Sequence, residues 1–179
     1  LSDEWFAGGV SHKGTSGTFA MILHEHDKYN GSLRSRKSFF AFGNRIIALG
    51  SGLENGLAGS ELHTTLFQNS LAGETGIKDT TLIYEDTSAV LKDRFGNAFF
   101  VKDAKTVYTA GDQSSFHEET MEPTEGRFEK AYICHGGNVK GGHYEYMTVI
   151  HATPEEISAY GDELPYEVVR CDSSAHIVR

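Results

Sequence analysis

The stretch KSFFAFGNRIIALGSG, residues 37–52, sets two apolar runs on either side of a Gly43-Asn44 pair. A Gly-Asn step between such runs predicts a two-residue hairpin in a primed turn, whose twist matches that of the flanking strands. The hairpin places Phe42 opposite Arg45, Ala41 opposite Ile46, Phe40 opposite Ile47 and Phe39 opposite Ala48. Side chains alternate along a strand, so Phe40, Phe42, Ile47 and Leu49 share one face and Phe39, Ala41, Ile46 and Ala48 the other. An antiparallel hairpin with one wet face reads apolar-polar-apolar. This one is apolar on both faces. Burying each larger side chain is worth about 1.5–3 kcal/mol, so the pattern demands a covering layer on each side. A simple two-sheet sandwich does not supply that.

Outward from the hairpin the pattern is strand, turn, strand. Strands are expected over residues 17–24, 33–42, 45–50, 62–68, 81–84, 98–101, 106–109, 127–135, 143–152, 166–170 and 176–178. They are rich in β-branched and aromatic residues and are separated by Gly, Asn and Asp clusters. Thr153-Pro154-Glu155-Glu156 alone reads as a helix start, with Thr as cap and Pro at the first position, and the helix ends by Gly161. So many short strands predict an all-β sandwich. No internal repeat, low-complexity run or linker divides the chain, so residues 1–179 are expected to form a single β-sandwich domain.

Hydrophobic residues at 39% and charged residues at 23% describe a globular chain rather than a disordered one. No apolar run approaches the roughly 20 residues that span a bilayer. The formal net charge of −9 argues against nucleic acid as a partner, which wants a basic footprint. A local basic patch can still override that field at short range for another acidic ligand. The opening LSDEW and the closing HIVR lead us to expect a fragment of a longer protein. Cys134 and Cys171 could pair, yet two cysteines make no disulfide framework, and free buried cysteine is common.

Four stretches could carry chemistry. His24-Glu25-His26 puts two imidazoles on one strand face, as in metal-binding cupin barrels, but no downstream carboxylate and histidine complete that set; the plainer reading is an exposed polar strand end. Arg34 and Arg36 point the same way and Lys37 the opposite way. Two guanidiniums about 7 Å apart could clamp sulfates or carboxylates. The plainer reading is a solvated strand paired with some of the 25 acids. In Glu4-Trp5-Phe6-Ala7-Gly8-Gly9 a carboxylate stands beside two aromatics and a flexible Gly pair, which suits a sugar ring as well as an ordinary loop. Gly136-Gly137 and Gly141-Gly142 lead into a strand rather than a helix N-terminus, so they read as a hairpin loop and not a phosphate cradle. Ser173-Ser174-Ala175-His176 lacks a nucleophile-elbow context, and no triad is visible.

The segments HDKYNGSLRSRKSFFAFGNRIIALGSGLEN and TTLFQ, with SDEWFAGGVSHKG before them and HGGNVKGGHYEYMTVIHA after, carry a resemblance in order over essentially the whole chain. The sequence resembles the central β domain of chondroitin sulfate ABC lyases, in the polysaccharide lyase group that includes the hyaluronate and chondroitin AC lyases. The resemblance implies an all-β, multi-layer antiparallel super-sandwich with at most one short helix. It implies one wall of the cleft of a lyase that depolymerises chondroitin- and dermatan-sulfate-type glycosaminoglycans by β-elimination. In that family the catalytic Asn, His, Tyr and Arg belong to a preceding α/α-toroid domain, so this chain alone is expected to be inactive. The position matching the family's orienting glutamate is Glu4, with Asp3 as the neighbouring alternative. Trp5, Arg34 and Arg36 are the candidate substrate-binding residues. No metal or cofactor is expected in this chain. The expected partners are an acidic polysaccharide and the toroid domain, with no nucleic acid and no membrane, in a secreted or periplasmic setting. A carbohydrate-binding β-sandwich without catalysis is the alternative, and a purely structural buttress a third reading.

Overall fold

The hairpin that opens the sequence forms in the expected register. Strands β3 (Arg34–Phe42) and β4 (Arg45–Glu54) pair Phe42 with Arg45, Ala41 with Ile46, Phe40 with Ile47 and Phe39 with Ala48. Gly43 takes φ +60°, as a primed turn with glycine at its first central position requires. The structure, a computed structural model, describes residues 6–29 and 31–179. Around the hairpin stand β1 (Ala7–His12), β2 (Ser16–His24), β5 (Glu61–Ser70), β6 (Thr80–Lys92), β7 (Ala98–Phe116), β8 (Pro123–Gly137) and β9 (Gly142–Val149). A helix α1 (Pro154–Asp162) and a small pair, β10 (Val168–Cys171) and β11 (His176–Val178), follow. Strands hold 62% of the chain and helices 6%, so the class is all-β. A 3-10 turn at Asp27–Tyr29 is the one addition to the expected single short helix among the described residues.

Nine strands join in the order β1-β2-β3-β4-β9-β7-β8-β5, with β6 also against β7. The sheet does not stay flat. In β7, Ala98–Val101 pair with β9, whereas Thr106–Phe116 pair with β8. Between the two spans Asp103 sits at φ +43°, and on the facing strand Asp86 sits at φ +46° beside a register shift. Irregularities at one level on both strands bend the β6–β7 ribbon and carry it from one layer into a second. Contacts agree: Leu62 and Leu66 of β5 and Ile133 of β8 pack with Phe39, Ala48, Leu53, Tyr144 and Tyr146, although β7 and β8 intervene in the sheet order.

The other face of the hairpin is covered differently. Ile47, Leu49, Phe100, Met147 and Val149 pack with Phe40 against Ile157 and Tyr160 of α1, Tyr166, and Val168 and Val178 of the β10–β11 pair. Phe39 and Phe40 therefore enter separate cores on opposite sides. The expected layering is present. Its outermost layer is a helix with a two-stranded pair rather than a further broad sheet. Helix α1 starts where the sequence places it: the Thr153 hydroxyl accepts from the Glu156 N–H, and the Glu156 carboxylate accepts from the Thr153 N–H. The strands expected at 98–101 and 106–109 are one element, β7. Strand β1 was not expected, because AGGVSH lacks alternation and is exposed along its whole length.

One cross-strand pair within the fold is unusually tight. Gly50 lies opposite Tyr144, and a Cβ on Gly50 would come within 2.1 Å of the tyrosine ring. The ring fills the space a side chain would take. Gly50→Ala should destabilise the protein by about 1–3 kcal/mol in urea unfolding, and Tyr144→Leu in the same chain should recover part of that loss.

Candidate functional site

Glu4 and Trp5, like Asp3, lie outside the described residues. The chain enters the described structure at Phe6, whose carbonyl accepts from the Ile22 N–H at 3.0 Å. Ile22 stands opposite Arg36, and Arg36 opposite Ser51. A row across the sheet edge thus runs Phe6, Ile22, Arg36, Ser51. Alternation puts Phe6 and Val10 on the face that carries Arg36, and both are well exposed, at 55% and 66%. The loop before β11 lies beside this face, and between them is an open depression of about 260 Å³ with Phe6, Arg36 and His176 in its wall.

His176 pins that loop to the sheet. Its Nε2 lies 2.8 Å from Ser51 Oγ and its Nδ1 2.9 Å from Ser38 Oγ. Ser51 Oγ donates to the Asp172 carbonyl at 3.1 Å, so it accepts from Nε2–H, while Nδ1 accepts from Ser38. Burial pushes the imidazole pKa down; the Asp172 carboxylate opposes that shift and Arg36 adds to it. The neutral ring this network needs is therefore favoured. The Asp172 carboxylate accepts from Arg170 Nε at 2.6 Å and from the Ser174 and Ala175 N–H groups, which hold its pKa down at about 2. Ser51 is buried and its proton is engaged, so Ser51 and His176 form a clamp rather than a nucleophile with its base.

Arg34 and Arg36 do share a face, since the β2–β3 register runs unbroken through both. Neither forms an ion pair among the described residues. The pairing with acids that would have made them ordinary surface charges is absent there. Lys37 points to the other face, where burial lowers its pKa. Among the described residues His24 and His26 join no group of metal donors: His26 Nδ1 accepts from the Lys28 N–H at 3.0 Å, and Glu25 closes onto Leu33 through its N–H and its carboxylate. The glycines at 136–142 connect β8 to β9, but these strands are not paired with each other, since β7 stands between them; the segment is a connection between separate strands rather than the expected hairpin loop. Cys134 and Cys171 are both free.

Two clusters escape sequence reasoning. His135 sits between the layers with Nε2 2.9 Å from Thr64 Oγ1 and its ring 6.0 Å from that of Tyr144. Burial, aided by the charges of His63, His143 and Lys37, lowers its pKa to about 4. Glu61, His63 and Cys134 gather on the opposite face of the β5–β8 pair, and they are the one such donor group among the described residues. Residues 71 positions apart, such as His63 and Cys134, carry no local signal of meeting.

A bent antiparallel sheet whose hairpin is buried on both sides defines a multi-layer β super-sandwich. Residues 1–161 match the model of the polysaccharide lyase family 8 super-sandwich domain. The chain is 34% identical over 177 residues to a chondroitin sulfate ABC exolyase of Bacteroides thetaiotaomicron, covering 99% of this chain and 17% of that enzyme. It is 28% identical over 194 residues to a chondroitin sulfate ABC endolyase of Proteus vulgaris, covering 98% of this chain and 19% of that one. A chondroitinase AC lyase solved with oligosaccharides superposes with a TM-score of 0.75 at 25% identity, over 97% of this chain and 26% of the other. The chain belongs to polysaccharide lyase family 8, as a super-sandwich domain. It spans less than a fifth of the length of these curated relatives.

Two outcomes follow from this geometry. His176→Ala removes the partner of the buried Ser38 hydroxyl and the donor to Ser51 Oγ, and should lower stability by about 1–3 kcal/mol in urea unfolding. His135 gives a pH signature. Its folded pKa of about 4 lies below the ordinary value of 6.5, so between the two only the unfolded chain takes the proton. Stability should fall as pH drops from about 6.5 to about 4, with no further loss from this group below that. Melting temperature against pH should be flatter over that window in His135→Gln.

Proposed function

We propose that this chain forms one wall of the substrate cleft of an enzyme that cleaves chondroitin- and dermatan-sulfate-type glycosaminoglycans by β-elimination. The observation that carries the reading is the sheet edge itself. Arg34 and Arg36 stand on one face without ion-pair partners among the described residues, and the chain leading back to Trp5 and Glu4 departs from the same row. On a protein of net charge −9, two such cations suit a polyanion held at short range. Exposed Phe6 and Val10 beside them suit a surface that a facing domain covers. The relatives named as chondroitin sulfate lyases support the substrate class.

In this reading a base on a facing helical domain removes the C5 proton of the uronate. The electron pair delocalises into the carboxylate, which preorganised donors stabilise. Collapse of that intermediate forms the C4–C5 double bond and expels the glycosidic oxygen, which an acid protonates. No water is consumed. Glu4 acts as a positioning residue, holding an Arg or Tyr of the helical domain through a charge-assisted hydrogen bond. Trp5 offers its ring to a sugar face, and Arg34 and Arg36 meet sulfates or carboxylates. The reading asks for no cofactor from this chain, and a polymeric acidic substrate suits a secreted or periplasmic enzyme.

The test uses the enzyme carrying its helical domain, with release of ultraviolet-absorbing unsaturated uronide as the assay. Glu4→Gln should lower kcat by about 100-fold while KM and melting temperature stay near wild type. Arg34→Ala with Arg36→Ala should raise KM for sulfated chondroitin by about tenfold. The 179-residue chain alone should release no product. Turnover by that chain at the rate of the complete enzyme would overturn the assignment of the base to a facing domain.

A further inference from the structure

We propose that Glu61, His63 and Cys134 form a binding site for one zinc-class divalent transition-metal ion on the outward face of the β5–β8 pair. Sequence reading assigned no metal to this chain, because the three residues meet only through strand pairing. Glu61 and His63 are two apart on β5 and share a face, while Cys134 is the direct cross-strand partner of His63. Leu62 and Ile133 point the other way, into the interlayer core, which leaves the three donors turned outward.

Distances decide the chemistry. His63 Nε2 lies 3.2 Å from Glu61 Oε2, Cys134 Sγ lies 3.7 Å from the same oxygen, and all three donor atoms fall within 4.8 Å of one another. Tetrahedral zinc holds nitrogen and oxygen at about 2.0–2.1 Å and sulfur at about 2.3 Å, which separates neighbouring ligand atoms by about 3.3–3.6 Å. Two edges of that tetrahedron are nearly formed already. The third, from His63 to Cys134, lies within 4.8 Å and closes by side-chain rotation. One nitrogen, one sulfur and one oxygen favour zinc, cobalt or a similar ion over calcium or magnesium, which want oxygen alone. Three protein ligands leave a fourth position for water.

The surroundings suit an ion. The His63 ring stacks on Tyr132 at 4.1 Å between centroids and 27° between planes, which limits its rotation. Lys105 is engaged with Glu85 at 3.2 Å, so the Glu61 carboxylate is not held by that ammonium. On binding, the Cys134 thiol gives its proton to solvent and the sulfur lone pair goes to the metal. A carboxylate, a thiolate and a neutral imidazole then balance the two charges of the ion.

The experiment titrates the reduced 179-residue protein with cobalt(II) and then displaces cobalt with zinc. One equivalent of cobalt should produce a thiolate-to-metal charge-transfer band, which one equivalent of zinc removes with release of cobalt. Cys134→Ser should abolish the band and Cys171→Ser should keep it, with circular dichroism confirming that both variants fold. His63→Ala and Glu61→Gln should each weaken binding by about tenfold or more. Absence of the band in wild type would overturn the site, leaving the trio a hydrogen-bonded surface cluster. So would a band that survives in Cys134→Ser, or wild-type affinity in both His63→Ala and Glu61→Gln, which would mean a simple thiol adduct. Displacement of cobalt by equimolar calcium or magnesium would overturn the metal class.

Discussion

Everything in this fold follows from a strand that cannot face water on either side. Ile47, Ala48 and Leu49 are consecutive residues of β4, exposed by 2% or less, and consecutive strand residues point to opposite faces. Hydrophobic burial on one face alone would leave the other face's apolar area in water. The chain answers with two different covers. On one side the β6–β7 ribbon bends at Asp86 and Asp103 and folds β5 and β8 back over β3, β4 and β9. On the other side a short helix and the β10–β11 pair close the stack. The bend is as necessary as the hairpin, since a flat nine-stranded sheet would offer β4 no partner on its Phe39 face.

The same solution fixes where function can reside. Burial consumes the middle of the sheet, while β1 stays exposed throughout and β2 is only partly covered. Strand β3 crosses from one regime to the other. Its Phe39 and Phe40 end lies in the cores, and its Arg34 end projects beyond them. A charged end on a buried strand is a rigid mount, because the packed half sets the rotation and register of the free half. Such a mount suits ligand recognition better than a mobile loop would, since little ordering entropy remains to be lost on binding.

Local pattern made the hairpin legible, because turn chemistry and alternation act over a few residues. The α1 start was legible for the same reason, with the cap, the proline and the reciprocal glutamate all within four positions. What stayed hidden depends on distant partners. Sequence breaks near 102–105 read as a gap between strands, yet β7 bends there and continues, with Ala104 paired to Thr87 of β6 and β8 taking over from Thr106. β1 shows no strand pattern because two glycines and two exposed faces leave it no apolar alternation, and β2 alone holds it in place. Of the candidate site, the geometry of Arg34 and Arg36 was readable from alternation, whereas the His176 clamp joins residues 125 and 138 positions apart. Glu4 and Trp5 rest on resemblance and lie outside the described residues.

The His176 clamp links these halves of the molecule. Ser38 and Ser51 are buried polar residues on the same face as Phe40, and unsatisfied hydroxyls there would weaken the very core that the outer layer closes. His176 satisfies both, and in doing so it docks β11 onto the sheet within the field of Arg36. That field disfavours an imidazolium, and so helps keep the ring in the neutral form that can donate to one serine and accept from the other. Arg36 thus also stabilises the hydrogen-bond pattern that seats the covering layer. Burial is the larger force holding His176 neutral, and the Arg36 charge adds to it, so the seating of β11 depends on the packed layer first and on this cation second.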